Sequence, residues 1–152
     1  VRLKWPNDVY IGDRKSTGIL IQNTITGTKI QHTVIGLGIN INQIKFPSSL
    51  PNPTSLALAT GKDDYDLSQL HQLLFSFLES RYLQLKGNQW EQLNATYNQA
   101  LYKLNEAHLF QSAEGPFFKG TITGVTEQGL LKVDTDTGLQ TFNLKEITFA
   151  KQ

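Results

Sequence analysis

The sequence predicts an α+β protein with a sheet-forming first part, a helical middle and a small all-β end. Three observations carry this reading. β-Branched runs dominate residues 1–42, apolar residues fall at helical spacing from Asp66, and short strand-like runs between turn residues resume near His108. At 152 residues the chain has room for one average domain with a small satellite. The expected division is into residues 1–105 and 106–152.

VRLKW reads as a strand, and Pro6 biases Trp5 toward extended backbone before the Pro-Asn-Asp turn. VYI then runs into a second turn at Gly12-Asp13. STGILIQNTI and KIQHTVIGLGINI are long strands separated by Thr-Gly-Thr, and apolar residues on both faces predict cover on both sides. FPSSLPNPT holds three of the five prolines and is an irregular loop. SLALATG predicts a short helix capped by Thr54 or Ser55 and closed at Gly61. Asp66 with Gln69 marks the start of a longer helix whose stripe is Leu67, Leu70, Leu73, Leu74, Phe77, Leu78 and Tyr82, ending at Gly87. Asn88 and Glu91 repeat the capping logic before Trp90, Leu93, Tyr97, Leu101 and Leu104, which are expected in the core. HLFQ, FFKGTITGV, LLKVDT, LQTFN and EITFA then read as strands of a small barrel, with turns at Glu114-Gly115-Pro116, Glu127-Gln128-Gly129 and Asp136-Thr137-Gly138.

Composition narrows the chemistry. There is no cysteine, which excludes disulfides, thiolate nucleophiles and cysteine zinc sites and fits a reducing cytoplasm. No apolar run approaches the ~20 residues of a membrane span. Net charge is only +1, but Arg2, Lys4, Arg14, Lys15 and Lys29 face only Asp8 and Asp13 in the first forty residues. Such a local excess suits a small anion, phosphate or carboxylate, better than a long polyanion. From residue 108 four lysines stand against five acids, which disfavours a nucleic-acid-binding barrel. The chain opens in mid-strand without methionine and reads as the C-terminal piece of a longer protein.

Singly, the charged residues fit two roles. Pro6-Asn7-Asp8 is a common turn, yet Asp8 could hold Mg²⁺ against phosphates with help from Asn7. Asp13-Arg14-Lys15 is a common hairpin tip, yet Lys15 before small residues could be a point charge for an anion approaching Gly18. Lys4 could neutralise a phosphate. Gly36 and Gly38 mark either a crowded strand or a place where a base or ribose meets backbone. They form no dinucleotide fingerprint, because Ile41 stands where the third glycine would be. His32, His71 and His108 show no metal-ligand spacing.

In combination these stretches are more specific. KWPNDVYIGDRKSTGILIQ, then VIGLGININ, then FPSSLPNPTSL resembles the catalytic domain of biotin–protein ligases, in which KWPND, a K-x-x-G-I-L segment and G-x-G-I-N-x-N recur in this order. The resemblance implies part of a mixed sheet with helices, related to class II aminoacyl-tRNA synthetases, followed by an SH3-like barrel. It implies a two-step reaction in which biotin and ATP, with Mg²⁺, form biotinyl-5′-adenylate. A lysine of a biotin carboxyl carrier domain, of acetyl-CoA carboxylase or another biotin-dependent carboxylase, then takes the biotinyl group.

Carried over by position, Lys15 is the catalytic lysine beside the biotin carboxylate and α-phosphate, and Gly18 packs against biotin. Lys4, Asn7 and Asp8 meet the triphosphate, with Asp8 at the metal, while Gly38, Ile39 and Asn40 contact adenosine. Glu146, in Asn143-Leu144-Lys145-Glu146, is expected to be structural. Homodimers occur in the family, and neither a membrane nor a nucleic acid is expected as a partner of this chain. Two departures stand out: Gln22 replaces the usual Glu, and the family's Gly/Arg-rich biotin loop, which lies upstream of KWPND, is absent from these residues. This piece alone is therefore expected to show little or no ligase activity. The competing readings are a lipoate–protein ligase and a catalytically silent fragment.

Overall fold

A computed structural model of the chain describes residues 1–113 and 115–150. It is an α+β structure that divides into two compact units, Val1–Leu93 and Asn94–Gln152. The first unit opens with an antiparallel meander, β1 (Arg2–Lys4), β2 (Asp8–Ile11), β3 (Arg14–Thr26) and β4 (Lys29–Ile39), in that spatial order. Its turns form where expected: Gly12 and Gly27 both take positive φ, +59° and +60°, which suits glycine.

The register aligns one row straight across all four strands. Lys4 pairs with Asp8, Asp8 with Gly18, and Gly18 with Gly38. Between Val9 and Tyr10 the β2–β3 register shifts, so that Val9 faces Thr17 while Tyr10 faces Lys15. Ser16 is the extra residue of this bulge, and its hydroxyl donates to the Val9 carbonyl at 3.1 Å.

After the loop over residues 46–54, α1 (Leu56–Thr60) is capped by Ser55, whose Oγ accepts from Leu58 N at 3.1 Å. Gly61 closes it in the left-handed region at φ +74°. Of the two candidate caps the structure therefore uses Ser55. α2 (Leu67–Lys86) is capped by Asp66, which accepts from the Ser68 and Gln69 amides. α3 (Trp90–Gln99) follows.

Two expectations about burial are corrected. Among the described residues α2 and α3 bury no side chain fully, and Phe77 and Trp90 are 66% and 59% exposed. Likewise β3 and β4 are not covered on both sides, since Leu20, Ile21, Ile25, Ile30 and Val34 are exposed. Periodicity selects the face that an element would bury, but burial requires an opposing layer. Ile35, Leu37, Ile39 and Ile41 stand with Leu70 and Leu74 of α2 around an apolar groove.

The second unit is a five-stranded antiparallel sheet of β5 (Ala107–Ser112), β6 (Phe117–Val125), β7 (Leu131–Thr135), β8 (Gly138–Phe142) and β9 (Ile147–Phe149), in the order β8-β7-β6-β5-β9. Leu101, Phe110, Ile122, Leu131 and Val133 form its core, each at most 2% exposed. Residues 94–105 fall within this unit. Leu101 is buried, Leu104 bridges to Ile122, and Asn98 Oδ1 accepts from Val125 N at 2.8 Å. Gly129 and Gly138 take positive φ at two of the expected turns. In the third turn Glu114 lies outside the described residues. At the last turn Glu146 Oε2 accepts from Asn143 N at 2.6 Å while Glu146 N donates to Asn143 O, and Lys145 takes φ +68°.

Burial in the second unit pushes the Tyr97 phenol above its ordinary value of 10.0. The folded chain keeps that proton to higher pH than the unfolded chain does. This contribution to stability is complete below pH 10.0 and is lost as pH rises through the folded value. Unfolding midpoints in urea should fall above pH 10.0, and Tyr97→Phe should flatten that fall.

Candidate active site

The row Lys4, Asp8, Gly18, Gly38 would place its side chains on one face of the meander, because opposite residues in antiparallel strands share a face. Gly18 and Gly38 contribute no side chain, which leaves a hollow. A cavity of about 360 Å³ occupies it, lined by Asp8, Tyr10, Lys15, Gly18, Gly38 and Asn40 among others, with the loop Leu50–Pro53 as one wall. That volume falls within the usual range for a small-molecule site.

Lys15 enters this space because of the bulge. In a regular strand, residues three apart point to opposite faces. The extra residue at Ser16 brings Lys15 onto the face of Gly18, where its Nζ lies 2.6 Å from Asp8 Oδ1. A Cβ placed on Gly18 would sit 3.6 Å from that ammonium. The Lys15 side chain is 45% exposed, so the ion pair adds little to stability and can open at small cost. The Lys15 backbone is held on both sides: its N–H donates to Asn52 O at 2.9 Å, and its carbonyl accepts from Thr54 N at 2.8 Å.

The remaining expected residues are placed less directly. Lys4 does not line the cavity. Its Nζ donates to the Tyr10 hydroxyl at 3.1 Å and lies 4.9 Å from that ring's centroid. Asn7 clamps the turn to β3, its Nδ2 donating to Ile19 O at 2.8 Å while its own carbonyl accepts from Ile19 N. Asn40 lines the cavity, but its Nδ2 donates to Thr54 O at 3.1 Å and its backbone N–H to Ser16 O. Ile39 points to the opposite face, into the groove against α2. The sequence reading missed Tyr10, Asn52 and the loop wall. The proline-rich stretch signalled an irregular loop, but nothing in it said that the loop returns to Lys15.

For a metal, the described residues hold no group of three or more His, Asp or Glu. Mg²⁺ carried on nucleotide phosphates needs only one or two protein carboxylates, and Asp8 suits that arrangement. No helix among the described residues is long and apolar enough to cross a membrane.

Sequence comparison adds to this geometry: residues 1–40 match the Biotin/lipoate A/B protein ligase family. The chain is similar to biotin–protein ligases. It is 27% identical over 141 residues to the bifunctional ligase/repressor BirA of Bacillus spizizenii, covering 91% of this chain and 43% of that protein. It is 38% identical over 39 residues to the biotin–[acetyl-CoA-carboxylase] ligase of Paracoccus denitrificans, covering 26% and 16% respectively. The biotin protein ligase of Aquifex aeolicus, solved in complex with biotin and ATP, matches with a TM-score of 0.77 at 25% identity, covering 99% of this chain and 62% of that one. The chain thus spans less than half the length of the BirA relative.

Proposed function

We propose that this chain supplies the lysine-bearing part of an adenylation site that activates biotin with ATP for transfer to a protein lysine. The observation that carries the reading is the convergence of Asp8, Lys15, Gly18, Gly38 and Asn40 on one cavity. In the first step a biotin carboxylate oxygen bonds to the α-phosphorus of ATP. The bond from that phosphorus to the bridging oxygen breaks, and pyrophosphate leaves with the electron pair. Lys15 would offset the charge that accumulates where two anions meet, the term that preorganised cations lower most. Nucleotide phosphates would compete with Asp8 for Lys15; Asp8 would then be the residue to hold a nucleotide-borne Mg²⁺, which would supply charge neutralisation at the phosphates. Gly18 and Gly38 leave the space in which biotin and nucleotide meet. Asn7 and Asn40 act by holding the surrounding backbone, and Ile39 acts through its backbone.

In the second step a lysine amine of the acceptor attacks the acyl carbon, loses a proton, and AMP leaves with the electron pair. The chain need provide no nucleophile; positioning carries the reaction. The acceptor is a biotin carboxyl carrier domain, with that of acetyl-CoA carboxylase favoured by the name of the Paracoccus relative. The protein is proposed to work in the cytoplasm, with a homodimer as its assembly. Residues 94–105 are proposed to join the C-terminal domain.

The test is biotin-dependent exchange of labelled pyrophosphate into ATP, with lipoate as the competing substrate. Exchange driven by lipoate and not biotin would overturn the substrate assignment. Gly18→Ala is expected to leave the thermal midpoint unchanged, because its Cβ meets only ordinary contacts at 3.6 Å and beyond. It should still raise the KM for biotin by about tenfold, by filling the hollow against Lys15.

A further inference from the structure

We propose that Tyr10 is the positioning residue that locks the anion end of this site. Tyr10 is 4% exposed, yet its hydroxyl sits where three parts of the site meet. Across β1–β2 it faces Arg2, two steps along the ladder from the Lys4–Asp8 pair and so on the same face, and it is the direct partner of Lys15 on β3. The hydroxyl accepts from Lys4 Nζ at 3.1 Å and, at a longer 3.5 Å, from Asn52 Nδ2. The same Asn52 nitrogen donates to Asp13 O at 2.8 Å, and the Asn52 carbonyl accepts from Lys15 N. One buried phenol therefore connects the Lys4 cation, the loop wall and the backbone that carries Lys15.

A lysine on a four-carbon stem loses rotamer freedom when it is held, and a ligand that must order it bears that cost at binding. With the ammonium already drawn onto the Tyr10 hydroxyl and ring face, Lys4 is ordered before any phosphate arrives. Pre-ordering of this kind favours binding without adding a contact to the ligand. The ligand class is a pyrophosphate group, either free or as the terminal part of a nucleoside triphosphate. That identity rests on the proposed adenylation site.

The experiment titrates this chain with sodium pyrophosphate, ATP and biotin separately, using calorimetry and backbone amide shifts, for wild type, Tyr10→Phe, Lys4→Ala and the double variant. Phenylalanine keeps the buried ring and removes only the hydroxyl. Tyr10→Phe should weaken pyrophosphate and ATP by roughly tenfold, the scale of a lost hydrogen bond to a charged group. It should leave biotin within about twofold, and adding Lys4→Ala should cost little more, since both act through one held ammonium. Unchanged pyrophosphate affinity in Tyr10→Phe, fully multiplicative single effects, or equal losses for biotin and pyrophosphate would each overturn the positioning role. So would an absence of pyrophosphate binding by the wild type. If pyrophosphate behaves as expected while neither biotin nor lipoate binds to protein that carries this chain and a complete biotin site, the adenylation reading fails and the role of Tyr10 stands.

Discussion

Lys15→Ala should slow biotin-dependent adenylate formation by roughly 10²–10³-fold, the loss seen when one preorganised transition-state partner is removed. The loss should fall on kcat and kcat/KM together, because the ammonium matters most where charge builds at phosphorus. Lys15 is poised for this by geometry and not by burial. Its ammonium rests 2.6 Å from Asp8 over the glycine hollow, while its backbone is pinned by Asn52 and Thr54. Lys145→Ala is the matched control, since that lysine stands at the last turn of the second unit with φ +68°. Pyrophosphate exchange by protein that carries this chain and a complete biotin site checks both variants. Equal rates for Lys15→Ala and wild type would remove the proposed role.

Phe110→Ala is expected to cost about 3–5 kcal/mol of folding stability, the range for deleting a buried aromatic side chain. Phe110 is 1% exposed, and its ring centroid lies 5.0 Å from that of Phe149 and 5.9 Å from that of Phe118. Phe77→Ala, on a helix and with the residue 66% exposed, should stay within about 0.5 kcal/mol in this chain. Urea unfolding followed by circular dichroism separates the two. A large loss for Phe77 together with a small one for Phe110 would contradict the burial pattern. The two phenylalanines are chemically identical, and only the presence of an opposing layer distinguishes them.

That contrast marks how far the sequence is legible. Caps and turns were readable because they are local: Asp66 and Ser55 bond to amides two or three residues away, and Gly61 must adopt a left-handed backbone. The strands and their order of appearance were readable from β-branched runs. Burial along α2, α3, β3 and β4 was not, because periodicity reports which face is apolar and not what covers it. Trp90 shows the limit, expected in the core and found 59% exposed.

For the site, KWPND, the segment over residues 15–18 and GLGIN suggest the proposed chemistry, since motif order is a property of the chain alone. Where each residue points was another matter. A regular β3 would put Lys15 and Gly18 on opposite faces. Folding brings them onto one face with a single extra residue at Ser16, which carries Lys15 round to Asp8. Tyr10 and Asn52 lie 42 positions apart and enter the site only because a proline-rich loop packs back against β3. Residue types and their local turns are written in the chain. Strand register, one bulge and a returning loop are long-range pairings, and they alone bring a lysine, a carboxylate and two glycines to a common cavity.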